Sequence, residues 1–255
     1  MSSRQGQGPG AMTERTRTPT ALVTGASRGI GLGIAGMLAR RGFALTVAAR
    51  DEVRLDEVAA GLRAGGAPHV TCVAGDLSDP TYADRLVDAH GEQFDSLDCL
   101  VLNAGVGTAG PIDALPATRL DKTIAVNLRA PFVMLQRAIP LLRKADGARI
   151  IVLSSITGVY AEAGLAAYGA TKAALNALVD TVNAEESQHG VSATAIAPGY
   201  VDTDMSAWTH DRIPPDQMIP VSDIVTLVEA LVTVSPRSVI PRLVVTRAGT
   251  NGFEA

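Results

Sequence analysis

The chain has 255 residues, 47% of them hydrophobic and 19% charged, with a formal net charge of −4; that is enough for one large core, and no shift of composition divides it in two. Acidic and basic residues are scattered, so there is no basic stripe for nucleic acid and no polybasic patch for a membrane surface, and no apolar run approaches the ~20 residues of a bilayer span. Small molecules are the expected partners, and the two cysteines, Cys72 and Cys99, sit in apolar stretches as free thiols do in a reducing, cytoplasmic setting.

Residues 1–19 are polar and rich in Gly, Arg and Thr, and read as a flexible leader ahead of a single domain over 20–255. From Ala21 onward short β-branched or apolar runs alternate with stretches of helical period. The strand-like runs cover 21–24, 44–49, 70–74, 99–103, 149–155, 191–197 and 239–245. Between them lie amphipathic segments such as "EVRLDEVAAGLRAG", "LDKTIAVNLRAPFVMLQRAIPLLRKA" and "AAYGATKAALNALVDTVNAEES". Near-continuous apolarity in the strands predicts an α/β fold, a doubly wound parallel sheet of about seven strands with helices on both faces. Ligands of such folds bind beyond the carboxyl ends of the strands.

After the first strand comes "GASRGIG". Gly25, Gly29 and Gly31 allow positive φ and bring bare backbone toward a diphosphate at a helix N-terminus, where free N–H groups and the helix dipole favour negative charge. "GLGIAG" at 31–36 also fits G-x-G-x-x-G, but it starts inside the helix, where Gly33 and Gly36 suit close packing on the sheet. "GASRG" fits the nucleophile elbow of α/β-hydrolases, with Ser27 as nucleophile; that elbow normally follows several strands, and here only one precedes it. A third reading is a tight turn with no ligand.

Further along, Tyr168 and Lys172 stand four apart in "YGATK" and share one helix face. The chain has only three lysines. An ammonium there favours the phenolate and draws down a tyrosine pKa that starts near ~10, while its long stem can reach a ribose hydroxyl. A tyrosine so tuned passes protons at neutral pH. Ser155, at the end of "RIIVLSS", is placed to hydrogen-bond a carbonyl oxygen; a turn or cap serine is the plain alternative for both Ser154 and Ser155.

With these residues in hand, the chain resembles the classical short-chain dehydrogenase/reductase family over 20–245. The matches are "TGASRGIG" (24–31), "NAG" (103–105), Asn127 in "VNL", Ser155, Tyr168 with Lys172, and "PGYVDT" (198–203). The resemblance implies a Rossmann-type domain and hydride transfer between a nicotinamide and a carbonyl or secondary alcohol. Tyr168 is then the general acid in reduction and base in oxidation, Ser155 orients the substrate oxygen, Lys172 lowers the tyrosine pKa and holds the nicotinamide ribose, and Asn127 supports a proton-relaying water. The same resemblance puts the cofactor against Gly25, Ser27, Arg28, Gly29, Ile30 and Gly31, against Asp76 and Leu77 near the adenine, and against Asn103, Ala104 and Gly105. Pro198, Gly199, Val201 and Thr203 complete the nicotinamide side. Asp76 could instead cap the helix that begins near Asp79.

The acidic position that selects a free ribose hydroxyl falls on Ala49, and Arg50 follows it. With Arg28 this points to NADP(H) over NAD(H), since guanidinium groups meet a ribose phosphate with charge-assisted hydrogen bonds. Asp51 suits a helix N-terminus better than a ribose ligand. By resemblance 204–223 is a substrate lid, in which Met205, Trp208, Ile213 and Met218 either line an apolar pocket or pack the lid down. Leu102, Val106, Val159 and Tyr160 are expected to border the same space. The family's "DGG" near the C-terminus is absent, which leaves a homodimer or homotetramer through helices around 118–144 and 165–188 as the expectation. A dinucleotide-binding sensor or scaffold without turnover is the competing class; it has no use for Ser155, Tyr168 and Lys172 together.

Overall fold

The computed structural model describes residues 17–252; of the expected leader, residues 1–16 lie outside the described residues. Within the segment expected to be a leader, Arg17 is tied to the domain: its guanidinium donates two hydrogen bonds to Asp98, at 2.8 and 2.7 Å, and Asp98 also accepts from the Thr20 amide.

Strands and helices alternate as β1 (Thr20–Thr24), α1 (Gly29–Arg40), β2 (Ala44–Ala49), α2 (Glu52–Ala64), β3 (Val70–Ala74), α3 (Tyr82–Gln93) and β4 (Cys99–Leu102). There follow α4 (Ala117–Ile124), α5 (Ala130–Leu142), β5 (Arg149–Leu153), α6 (Ala166–Glu186), β6 (Ser192–Pro198), α7 (Val221–Thr233) and β7 (Arg242–Val245). All strands pair in parallel, in the order β3-β2-β1-β4-β5-β6-β7. The order reverses between β1 and β4, and the crevice above that pair is where such a fold receives a ligand. The β1–β4 register, Ala21 opposite Cys99 through Val23 opposite Val101, brings the chain beyond Thr24 beside the chain beyond Leu102.

Apolar residues alternate to opposite faces of each strand and are covered on both. Ile34, Leu38, Leu55, Leu62, Ile224 and Val228, from α1, α2 and α7, bury one face; Leu86, Met134, Leu142, Leu175 and Val179, from α3, α5 and α6, bury the other. The edge strands are more open, and β7 is half exposed. β7 is also shorter than the expected 239–245, because Pro241 has no N–H to give a ladder and only its carbonyl is used, by the Ala195 amide.

Two packing expectations need correction. Gly33 makes room for α7 rather than for the sheet, a Cβ there falling 2.8 Å from Val225 Cγ2, and at Gly36 a Cβ meets only the Arg40 side chain, at 3.6 Å. The long helix expected over 118–144 is interrupted: between α4 and α5 the chain makes a π-helical turn, Ala125–Arg129. Among the described residues no helix is long and apolar enough to cross a membrane, and none of their His, Cys, Asp and Glu residues form a metal-binding group.

Candidate active site

One cleft of about 1150 Å³ opens at the carboxyl ends of the strands. The residues singled out from the sequence converge on it: every cofactor-side position except Gly31 lines it, as do Ser155, Tyr168 and Lys172. Gly31 and Asn127 stand just behind the wall, and each shapes it.

At the glycine-rich turn, Gly25 and Gly29 take φ of +66° and +54°, the left-handed region that side chains resist. A Cβ on Gly31 would lie 2.2 Å from the Gly25 carbonyl oxygen and 2.4 Å from Asn103 Nδ2, so the turn closes only on a glycine. Asn103 Nδ2 donates to the carbonyls of Thr24 and Gly25, at 2.9 and 3.1 Å, and the Thr24 hydroxyl accepts from the amides of Asn103 and Ala104. These bonds tie the β1 and β4 halves together beneath the crevice. Arg28 sits at the N-cap of α1, and its side chain makes no capping bond. The first-turn amides of α1 therefore keep their affinity for an anion. A dinucleotide diphosphate fits this cradle.

At the far end Arg28, Arg50 and Arg54 line the cleft with Ala49. Asp51 caps α2, accepting from the Arg54 amide at 3.0 Å, as its place in the sequence suggested. Arg54, which sequence reasoning passed over, reaches back to donate to the Ser27 carbonyl at 3.1 Å. Arg28 pairs with Asp204 of the lid at 2.9 Å, both side chains being more than half exposed. Asp76 accepts from the amide and hydroxyl of Ser78 through one oxygen, Oδ1, at 2.8 Å each; the amide bond, aided by the nearby Arg50 and Lys122, holds its pKa below the ordinary aspartate value. It thus braces its own turn, whereas Asp79 does the equivalent for Thr81 at the start of α3.

Ser155, Tyr168 and Lys172 are positioned by the close packing of the β5–α6 connection on α6. A Cβ on Gly158 would lie 2.7 Å from the Lys172 carbonyl carbon, and one on Gly169 would lie 2.9 Å from the Thr157 carbonyl oxygen. Ser155 caps the short 3-10 turn Ile156–Gly158, its Oγ accepting from the amide and hydroxyl of Thr157 at 3.2 and 2.9 Å. With both acceptor sites used, its single proton is the one it donates, to Tyr168 here and to a carbonyl oxygen seated beside that phenol. The turn role is therefore compatible with orienting a carbonyl oxygen.

Burial pushes the Tyr168 phenol up to about 12, and its hydrogen bond with Ser155 works against this. Burial likewise brings Lys172 down to about 8; its Nζ donates to the Leu153 carbonyl at 2.6 Å and lies 5.5 Å from the Tyr168 ring centre. Desolvation, rather than the ammonium, is thus the largest influence on the tyrosine here. Gly105 separates Lys172 from Asn127: a Cβ on it would be 3.6 Å from Lys172 Nζ and 3.3 Å from Asn127 Oδ1. Asn127, buried in the π turn, accepts from the Val106 amide at 2.8 Å and donates to the Val106 carbonyl at 3.0 Å.

The lid expectation divides. Ile213 and Met218 are buried and pack the lid down, while Met205 and Trp208 are exposed and line the cleft. Val106 borders the space as expected; Leu102 is buried in the sheet, and neither it, Val159 nor Tyr160 forms part of the wall. Glu162, Tyr200 and His210 do, and nothing in their spacing announced them. No histidine among the described residues hydrogen-bonds to Ser27, as the hydrolase reading would require.

A parallel sheet with a glycine cradle at its switch point and a serine, tyrosine and lysine facing the same cleft defines a class, the oxidoreductases of doubly wound fold. A family model described as short chain dehydrogenase matches residues 19–213. The chain is 37% identical over 191 residues to a D-beta-hydroxybutyrate dehydrogenase of Rhizobium meliloti (strain 1021), covering 73% of this chain and 72% of that one. Among solved structures, a short chain dehydrogenase from Burkholderia cenocepacia J2315 in complex with NADP superposes with a TM-score of 0.80 at 33% identity, covering 89% of this chain and 95% of the other. A 3-oxoacyl-[acyl-carrier protein] reductase from Brucella melitensis in complex with NAD gives 0.80 at 29% identity, over 91% and 96%. The chain belongs to the short-chain dehydrogenase/reductase family and is an oxidoreductase of that kind.

Proposed function

We propose that the protein is an NADP(H)-dependent reductase of ketones, or the dehydrogenase of the corresponding secondary alcohols, with Tyr168 as its acid and base. The nicotinamide supplies or accepts the hydride when bound. Gly25, Ser27, Gly29, Ile30 and the first-turn amides of α1 hold the diphosphate, over the floor that Gly31 and Asn103 make. Asp76 and Leu77 border the adenine, and Ala104 and Gly105 the riboses. Pro198, Gly199, Val201 and Thr203 flank the nicotinamide. Arg28 and Arg50, joined by Arg54, meet the ribose phosphate. The observation that carries the reading is the convergence of Ser155, Tyr168 and Lys172 on the cleft that the glycine cradle floors.

In reduction, Ser155 donates to the substrate oxygen and Tyr168, neutral at pH 7 because burial holds its pKa near 12, gives that oxygen its proton. Lys172 steadies the phenolate left behind and reaches the nicotinamide ribose. Asn127 fixes Val106 and, by position, hands a water toward Lys172. Oxidation runs the same proton path backwards. Two free cysteines, Cys72 and Cys99, suit a cytoplasmic setting, and exposed Leu120, Ile124 and Phe132 along α4 and α5 suit assembly into a homodimer or homotetramer.

Tyr168→Phe tests the mechanism. NADPH oxidation with a responsive ketone is expected to fall at least about 100-fold, while NADPH binding, read by calorimetry, stays within about threefold. Turnover preserved in the variant would remove Tyr168 from the proton path, and tight NADPH binding without turnover of any ketone or alcohol would favour the sensor reading.

A further inference from the structure

Beyond Tyr168 and the cofactor cradle, the lid end of the cleft holds polar groups that the proton path does not use. Glu162 lies in the connection between β5 and α6, where its carbonyl accepts from the Leu165 amide. Its Oε1 accepts a 3.0 Å hydrogen bond from the Tyr200 hydroxyl. Its Oε2 is buried with no hydrogen-bond partner among the described residues, and the same holds for Nε2 of His210. Tyr200 ties Glu162 to the 208–212 segment: its hydroxyl bonds Glu162 and also meets Arg212, and its ring meets Trp208 edge-on at 6.1 Å, two residues before His210. Arg212, 5.9 Å from the Trp208 ring centre, packs on that same aromatic.

A buried carboxylate oxygen left unpaired is costly, and so is an unpaired ring nitrogen. Both residues contribute to the wall of the cleft that contains Ser155 and Tyr168, so a group entering between the loop and the lid satisfies them. A hydroxyl suits either group, because it donates to a carboxylate and offers lone pairs to an imidazole N–H. Exposed Met205 and Trp208 supply an apolar surface for the rest of such a molecule.

We infer that Glu162 and His210 form a substrate-recognition point for a hydroxyl group remote from the reacting carbon, so that the enzyme prefers hydroxylated ketones over purely apolar or anionic ones. The inference rests on the reductase reading above. It makes Glu162 a specificity determinant: a site built to bond a hydroxyl rejects the analogue without one, and its negative charge repels a carboxylate in the same place.

The test uses cyclohexanones substituted opposite the carbonyl with a tertiary hydroxyl, methyl or carboxylate, none of which NADP+ can oxidise. Binding to the NADP+-loaded protein, where ketones are not reduced, is read from the emission of Trp208, the only tryptophan in the chain; kcat/KM with NADPH is read in parallel. Wild-type protein is expected to favour hydroxyl over methyl and over carboxylate by at least about tenfold. Glu162→Leu reverses the first preference. Glu162→Gln, which keeps the bond to Tyr200, retains much of the first preference and relieves the rejection of carboxylate about tenfold. An unchanged set of ratios in the glutamine variant, or no preference in the wild type, overturns the inference. Selective binding without reduction of any ketone would instead overturn the reductase reading and leave the recognition point standing.

Discussion

Arg50 follows the position at the end of β2 where a dinucleotide-binding fold of this kind carries its ribose-reading acid, and its neighbour there, Ala49, offers no carboxylate. Arg28 and Arg54 line the same end of the cleft. The Arg28–Asp204 pair does not take Arg28 out of play: an ion pair so exposed is worth at most about 1 kcal/mol, whereas a charge-assisted hydrogen bond to a phosphate contributes roughly 1.5–3 kcal/mol. Arg50→Ala is therefore expected to weaken NADPH binding roughly 10- to 100-fold and NADH binding by less than about threefold, as measured by titration of both cofactors. Equal losses for the two would sink the NADP(H) assignment. That Arg28 and Arg50 line this end of the cleft was legible because their places follow from distance along the chain from the glycine turn. Arg54 was not, since its bond to the Ser27 carbonyl depends on how α2 docks beside that turn.

Local signals were clear wherever a short-range constraint forced the residue type. Gly25 is required by left-handed backbone, and Gly31, which does not take the positive φ expected of it, by the close approach to the Gly25 carbonyl and Asn103; a motif captures such constraints. Gly31→Ala makes this measurable. The added methyl would meet backbone, which has nowhere to go, so the variant is expected to lose stability toward the upper end of the roughly 1–3 kcal/mol that overpacking costs, and to lose most cofactor affinity as well. Chemical denaturation beside NADPH titration checks it; a variant as stable as wild type would show that the turn can open without penalty. The π turn that carries Asn127 was hidden, because "TIAVNLRAP" reads as uninterrupted helix by periodicity. The inserted residue shows only in the hydrogen bonding, a placement that often accompanies function. The lid divided for a similar reason: Met205, Trp208, Ile213 and Met218 are alike in hydropathy, and only tertiary packing decides which pair faces the cleft.

At the scale of the molecule, the alternation of apolar runs and helical stretches was enough for a parallel, doubly wound sheet, since strands buried on both faces have little choice of residue. Polar groups sealed inside that sheet–helix packing were invisible to periodicity, and one of them couples the whole fold to pH. His90, on α3, is fully buried. Its Nδ1 lies 2.9 Å from the Thr46 hydroxyl and its Nε2 lies 3.3 Å from the Ser96 carbonyl. A carbonyl only accepts, so the ring proton sits on Nε2 and the Thr46 hydroxyl donates to Nδ1 in the neutral ring. Burial brings the pKa from 6.5 down to about 4, against smaller upward pulls from the Ser96 carbonyl and Asp98. In the unfolded chain the ring takes a proton below its ordinary value, so between about pH 6.5 and 4 the unfolded state binds more protons and stability falls as the solution is acidified. Over that interval the loss is about 2–3 kcal/mol. Asp76, Asp79 and Glu186, whose partners hold them low, contribute in another window: their stabilisation is present above ordinary values of 3.8 and 4.5 and is lost only as pH falls through and below these. Urea unfolding at intervals from about pH 7 to 5 isolates the histidine, and His90→Gln is expected to be less stable at neutral pH yet flatter across that range. A variant with the wild-type slope would place the acid sensitivity on some other group.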